Sequence, residues 1–363
     1  VNDGKRDLAT STITARAKEA PKAAALDAAN TAALAWSAGA KLEPLGQGHI
    51  HETYRLTDPS HGTYVLQRIN EAVYQNIGLL MAQTQLVLGT LADEPSYLEQ
   101  YQVPQLVPTK SGSFLFKQQI QGVTTCWRMW GFVEDSRTCD PPENRQQIRL
   151  AAKAFGAYQR ALETLAPHQL EHTIPNFLHM SAYLEQFDAV LGTADAEEIT
   201  QAQQWIRLVQ SHRQWPEALT LPNALIHGDC KINNALFDSA GAQVLAIIDL
   251  DNNMRGHWAW DFGDLVRSVS YSRGGFDPED YRACVDGFAA GKGQRELDST
   301  SLVQAPGYLA YMLGLRFLTD HLAGDRYFSV PGHGVNLQRA QEQFTLFQDF
   351  QANRLTMAAI VAE

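Results

Sequence analysis

Apolar positions along this chain recur with two different periods, and the change from one to the other divides it. From Leu42 to Val133 the runs are short and alternating. Leu42–Leu56 predicts strand, glycine turn and strand, and Tyr64–Ile69 predicts a third strand. Phe114–Gln119 and Trp127–Val133 predict two more, separated by a turn at Gly122-Val123-Thr124-Thr125. One helical pattern interrupts them, Val73–Leu91, with Ile77, Leu80, Met81 and Leu86 at helical spacing. After residue 145 helical spacing dominates, over Ile148–Leu165, Leu184–Leu191, Ile199–His212, Tyr281–Ala290, Gly307–Ala323 and Leu337–Val361. Residues 1–20 are polar and irregular and predict a loose arm. The Ala-rich stretch 21–38, with Leu26, Ala29, Ala33 and Trp36, predicts a helix lying on the first lobe. Strands followed by helices indicate an α+β fold rather than a doubly wound sheet. The divisions are an arm and helix over 1–39, a small antiparallel β lobe over 40–134 and a mainly helical lobe over 135–363.

The helical part is broken at 224–251, and the break carries the chemistry. The apolar run Ala224–Ile226 stops at His227-Gly228-Asp229, and Asn234 follows after four residues. A strand, a turn at Asp238–Gly241 and a second strand, Val244–Ile248, then lead to Asp249-Leu250-Asp251. Alone, either Asp is an ordinary turn residue. Together they form the set that phosphoryl transfer from a nucleotide needs: Asp229 to accept the proton of an attacking hydroxyl, and Asn234 and Asp249 to hold Mg2+ on the phosphates of ATP. Asp261-Phe262-Gly263 spells a protein-kinase metal motif, but no apolar strand precedes it. Asp261 is therefore expected to cap the helix that follows, with Asp264 in its first turn.

With that function in view, the first lobe supplies nucleotide-binding candidates. Gly46 and Gly48 form a turn whose backbone N–H groups can approach phosphate oxygens. Arg68, on the third strand, can offer a cation to the phosphates, and the helix 73–91 holds no acidic residue to pair with it. Phe132 and Val133 lead into the loop 135–144, where a hinge and its adenine-binding backbone belong. In the helical lobe, Arg316 stands in an apolar run, Leu315-Arg316-Phe317-Leu318, and a cation there needs a partner or a ligand. Its partner is either a substrate or Asp320, one turn on.

Composition narrows the reading. The chain has 363 residues, 45% hydrophobic and 19% charged, with a net charge of −11. An acidic chain without a basic run is unsuited to nucleic acid or an anionic membrane. Four scattered cysteines, Cys126, Cys139, Cys230 and Cys284, lack metal-type spacing and fit a reduced, cytoplasmic protein. No stretch reaches the length of a membrane-spanning helix, and residues 1–20 show no secretory h-region.

These residues resemble the aminoglycoside phosphotransferase and choline kinase superfamily, with its protein-kinase-like two-lobed fold. The likeness runs from about Leu42 to about Gln351 and is carried by Gly48-His49-Ile50 with Thr53-Tyr54, Gln67-Arg68, the 227–234 and 248–251 strings, and Asp261–Asp264. Leu315–Leu318, Gly324-Asp325 and Tyr327-Phe328 carry it further, and the glycine loop, Gln67-Arg68 and Arg316-Phe317-Leu318 bring it nearest to the N-acetylhexosamine 1-kinases. The resemblance implies transfer from ATP to the anomeric hydroxyl of N-acetylglucosamine or N-acetylgalactosamine, with His49, Arg316 and Tyr327 lining the sugar pocket. Asn252, Asn253, Arg255, Trp258 and Trp260 depart from that branch near the acceptor side. Two other readings stay open. One is a kinase for an aminoglycoside, choline or homoserine, for which Asp251 and the two tryptophans would make an acidic, aromatic pocket. The other is a nucleotide-binding protein without catalysis. The oligomeric state is not encoded legibly.

Overall fold

The computed structural model describes residues 25–363, apart from 47–49, 121, 216, 294–296, 329 and 331. The arm 1–20, Gly48 and His49 lie outside the described residues. The chain forms two compact units, Val1–Met81 with Gln105–Glu134, and Ala82–Pro104 with Asp135–Glu363. Residues 82–104, within the span that sequence assigns to the strands, thus group with the helical unit. The fold is protein-kinase-like, with an antiparallel β N-lobe and a helical C-lobe.

In the first unit, β1 (Lys41–Pro44), β2 (Glu52–Asp58), β3 (Gly62–Arg68), β4 (Phe116–Ile120) and β5 (Val123–Gly131) make one antiparallel sheet in the order β1-β2-β3-β5-β4. β3 is therefore the middle strand. β5 starts at Val123, so the turn before it is shorter than the sequence suggests. The helix over 25–33, α1, sets Ala29, Ala32 and Ala33 against Tyr54, Leu56, Leu66, Trp127 and Met129. Alanines on that face let the helix lie close to the sheet's aromatic rings, and about 25 cal/mol per Å2 of buried apolar area favours the contact.

α2 (Ile77–Ala92) and the short α3 (Pro95–Leu98) follow β3 in the chain. The second unit continues with β6 (Ser136–Arg137), α4 (Arg145–Leu162), α5 (Met180–Leu191), α6 (Ala196–Ser211) and α7 (Glu217–Thr220). Four strands come next: β7 (Ala224–Ile226), β8 (Ala235–Asp238), β9 (Val244–Ile247) and β10 (Met254–Gly256). α8 (Trp258–Arg273), α9 (Pro278–Lys292), α10 (Ser299–Leu322), α11 (Val335–Ala352) and α12 (Arg354–Ala362) complete the unit. α4 and α9 approach so closely that glycine is required. A Cβ at Gly156 would meet the Phe288 carbonyl at 2.4 Å, and one at Gly291 would meet the Lys153 carbonyl at 2.1 Å.

α10 begins eight residues before the predicted start because Pro306 breaks the sequence pattern without breaking the helix. Proline leaves the Leu302 carbonyl without its helical donor, and the Tyr281 hydroxyl donates to that oxygen at 3.1 Å instead. Among the described residues no helix is long and apolar enough to cross a membrane.

Candidate active site

β7 delivers the chain into His227-Gly228-Asp229, and a buried carboxylate from α8 fixes that turn. Asp261 accepts the His227 amide on Oδ2 and the Gly228 amide on Oδ1, both at 2.9 Å. Gln159 of α4 donates to the same Oδ2 at 2.8 Å. Gly228 has φ +80°, and a Cβ there would sit 2.5 Å from the Asn252 carbonyl. The buried His227 ring bridges outward: Nε2 lies 2.9 Å from the Ile248 carbonyl, and Nδ1 lies 3.3 Å from the Asp229 amide.

This revises the role of Asp261. His257 caps α8, accepting the Ala259 amide, so Asp261 lies inside the first turn and Asp264 beyond it. Asp264 instead holds Arg267, with Nη2 at 2.7 Å. Burial raises the Asp264 carboxyl, Arg267 opposes this, and Asp229 adds to the rise.

Asp229, half-buried, stands beside Lys231, whose Nζ is 3.0 Å from Oδ2. The Asn234 amide group donates to the Asp229 carbonyl at 2.8 Å and to Oδ2 at 3.1 Å. Burial works to raise the Asp229 carboxyl but is outweighed by Lys231, with help from His227 and Asn234, and the group is held below the usual carboxylate range. Asn234 is positioned by the β8–β9 ladder, in which the Ile248 amide donates to its carbonyl at 2.9 Å. Asp249 follows directly and is exposed, at φ +65° and ψ +57°, a left-handed conformation uncommon outside glycine, asparagine and aspartate. The Lys231 ammonium is raised chiefly by Asp229, and Asp249 contributes. One cation thus feels both carboxylates.

The donor chemistry fits a hard divalent ion. With both N–H groups of Asn234 turned to Asp229, its Oδ1 faces away from those bonds, and Asp249 adds a carboxylate. Replacing Lys231 with Met should move the acid limb of the kcat/KM–pH profile to higher pH. As a candidate base Asp229 would have to be ionised to accept a proton, its lowered pKa keeps it so as pH falls, and removing the cation raises that pKa. An unmoved acid limb would assign it to another group.

Other predicted residues fall elsewhere. Asp251 is buried (1% exposed), and its carbonyl accepts the Thr173 hydroxyl at 2.8 Å. It is no open carboxylate for an amine. Trp260 is core, stacked on Tyr308 with Nε1 on the Leu219 carbonyl at 3.0 Å, because a bulky apolar ring is best buried. Trp258 lines a cavity of about 930 Å3 with Arg160, Glu163 and Lys292. Burial pushes the Cys230 thiol up, so it stays a neutral packing group.

In the first unit, Gly46 sits at φ +70° beside the bond from the Leu45 amide to the Thr53 carbonyl. Arg68 pairs across the sheet with Glu52, Nη1 to Oε1 2.9 Å, because the β2–β3 register sets the two opposite each other. The Phe132 amide donates to Thr63, and Arg55 lies 4.6 Å over its ring. Val133 lies just beyond. The sequence reading missed Arg128, which is buried (2% exposed) and donates from Nε to Gln67 at 3.0 Å.

Arg316 lies across rings rather than against a carboxylate. Its guanidinium carbon is 5.4 Å from Phe177, 5.2 Å from Tyr183, 5.8 Å from Tyr327 and 5.3 Å from Phe328. The anticipated pair with Asp320 is not made. Asp320 instead accepts the backbone amides of Arg326, Tyr327 and Phe328 and the side chain of Asn336, at 2.7–2.9 Å. Arg316, Tyr183, Gln186, Asp320 and Tyr327 line a pocket of about 160 Å3.

A kinase-like fold with an Asp–Asn–Asp string on its strand ends is the arrangement a phosphotransferase would use. Residues 41–300 match the phosphotransferase enzyme family, and the chain belongs to it, as a small-molecule kinase. Solved structures share the fold at low identity. An amicoumacin kinase in complex with AMP-PNP, Ca2+ and Ami is 15% identical, with a TM-score of 0.60 over 89% of this chain and 95% of that one. A microcompartment-associated aminopropanol kinase is 18% identical, with a TM-score of 0.57 over 91% and 98%. The GDP and kanamycin complex of APH(2")-IIia is 16% identical, with a TM-score of 0.56 over 86% and 93%.

Proposed function

We propose that this protein transfers the γ-phosphoryl group of ATP, with Mg2+, to the anomeric hydroxyl of an N-acetylhexosamine. The observation that carries the acceptor class is the charge balance around Arg316. The pocket presents a guanidinium and aromatic faces, while its one carboxylate, Asp320, is already engaged by three amides and Asn336. Such a pocket suits a neutral, oxygen-rich ring, which can stack on tyrosine and accept from arginine. It disfavours an ammonium, which would meet a like charge.

The base points the same way. Asp229, held at a lowered pKa, is a weak base. An anomeric hydroxyl is more acidic than an ordinary alcohol, so a weak base is adequate. In this reading Asp229 orients that hydroxyl and takes its proton, while Lys231 keeps the carboxylate ionised. Asn234 Oδ1 and the Asp249 carboxylate hold Mg2+, whose bound charge offsets that of the phosphates. Among relatives, one was solved with AMP-PNP and Ca2+ and another with GDP, which supports a nucleotide–metal pair here. Gly46, Arg68, Phe132 and Val133 remain the nucleotide-side candidates of the 40–134 lobe.

The test is Mg2+-dependent nucleotide consumption with N-acetylglucosamine, N-acetylgalactosamine, kanamycin, choline and aminopropanol, with phosphorus NMR of the product. An anomeric phosphate is expected; turnover confined to the amines would overturn the reading. Arg316→Lys should raise the acceptor KM by an amount worth about 2–4 kcal/mol, because lysine offers a point charge where arginine offers a flat fork. The melting temperature should hold, since no ion pair is lost. An unchanged KM removes Arg316 from the acceptor site.

A further inference from the structure

We infer that Glu198, His321 and His333 form a zinc site, separate from the transfer site, that pins the turn after α10. Glu198 lies in the first turn of α6, His321 in the last turn of α10, and His333 just before α11. Three segments distant in sequence thus bring two imidazoles and a carboxylate together, with ligand atoms all within 4.8 Å of one another.

The buried histidine separates this cluster from an ordinary surface pair. His321 is 0% exposed, and neither ring nitrogen makes a hydrogen bond, an expensive state for a buried polar ring. Its Nε2 sits 2.6 Å from Glu198 Oε2, yet the two are not aligned as donor and acceptor, and Oε2 is likewise without a hydrogen bond. A metal ion bound by both would satisfy them once the two part to about 3.3 Å, the spacing of neighbouring ligands at tetrahedral zinc. His333 Nε2 faces the other oxygen, Oε1, at 2.9 Å.

The outer partners follow the same logic. Histidines that bind metals commonly give their second nitrogen to a carboxylate, which fixes the ring and its tautomer. His333 Nδ1 lies 3.2 Å from Asp325 Oδ2, and Asp325 Oδ1 accepts Asn336 Nδ2 at 2.8 Å. Asn336 also donates to Asp320 at 2.9 Å, the carboxylate that gathers the amides of 326–328. The cluster is therefore tied to the turn that sets Tyr327 and Phe328 against Arg316.

Two imidazoles and one carboxylate suit Zn2+ with water in the fourth position. They do not suit Mg2+, which demands oxygen ligands. The site thus takes a different metal from the transfer site, and its test needs no turnover.

Tag-free full-length protein is stripped with a chelator, dialysed and titrated with Zn2+ by calorimetry. We expect one Zn2+ per chain, unaffected by millimolar Mg2+, and a rise in melting temperature on loading. His333 is exposed on its outer side, so His333→Ala should fold, as circular dichroism would show, and should bind at least 10-fold more weakly. Asp325→Asn keeps every ligand and tolerates the left-handed backbone at φ +55°, and should weaken binding about 10–100-fold. Absence of stoichiometric binding overturns the site, as does binding that His333→Ala leaves intact.

Discussion

Asp229→Asn should cut kcat by about 10^2–10^4-fold while the melting temperature stays within a degree or two. The fall is that expected when a positioned general base is removed. Asparagine keeps the volume and the bond to Asn234, but it cannot take the proton of the acceptor hydroxyl. The fold should tolerate the change because Asp229 is half-buried and solvent can still reach its neighbourhood. Its main partner, Lys231, is also partly exposed and can turn to solvent. The measurement is steady-state kinetics beside a thermal melt. A variant with full turnover would remove Asp229 as the base. One that lost activity only in step with its folded fraction would make it a structural residue.

The proposed chemical string could be picked out because phosphoryl transfer needs particular side chains at strand ends, and side chains are what a sequence displays. Asp229, Asn234 and Asp249 stand on the turns that β7, β8 and β9 build. The division into strands and helices was legible for a similar reason, since each buried face imposes its own period. Contacts made with the backbone were not. Asp261 looked like a helix cap because nothing local reveals that its oxygens reach amides more than thirty residues earlier. Asp320 looked like a partner for Arg316 one turn away, yet the amides of the following turn claim it. Arg68 found Glu52 through register, which depends on the length of the turn between strands. The helix expected from Gly307 reaches back past Pro306 because the compensating hydroxyl, Tyr281, comes from another helix.

Removing the carboxylate of Asp249 should abolish turnover and leave the protein folded, whereas removing that of Asp261 should cost both. The choice of variant follows from the backbone. Asp249 is exposed and left-handed, a conformation that costs an alanine about 1–2 kcal/mol and a glycine little. Asp249→Gly therefore deletes the proposed metal ligand with little effect on the melting temperature. Without it, Asn234 is left as the remaining protein ligand and the phosphate charge loses part of its clamp, so activity should fall below detection at any Mg2+ concentration the assay allows. Asp261 is buried and accepts two backbone amides and Gln159. Asp261→Ala strands two buried backbone amides at about 1–3 kcal/mol each, leaves Gln159 only its bond to the Trp258 carbonyl, lowers the melting temperature, and releases the turn that aims Asp229. Activity alone cannot separate a ligand from a positioning residue, because both variants lose it. The melt separates them, together with Mn2+ binding followed by electron paramagnetic resonance in the presence of nucleotide. Asp249→Gly should keep its melting temperature and lose the bound Mn2+ signal. If Asp249→Gly retained both metal and turnover while Asp261→Ala lost metal without losing stability, the metal would belong to Asp261 and its role as the brace of the 227–229 turn would fall.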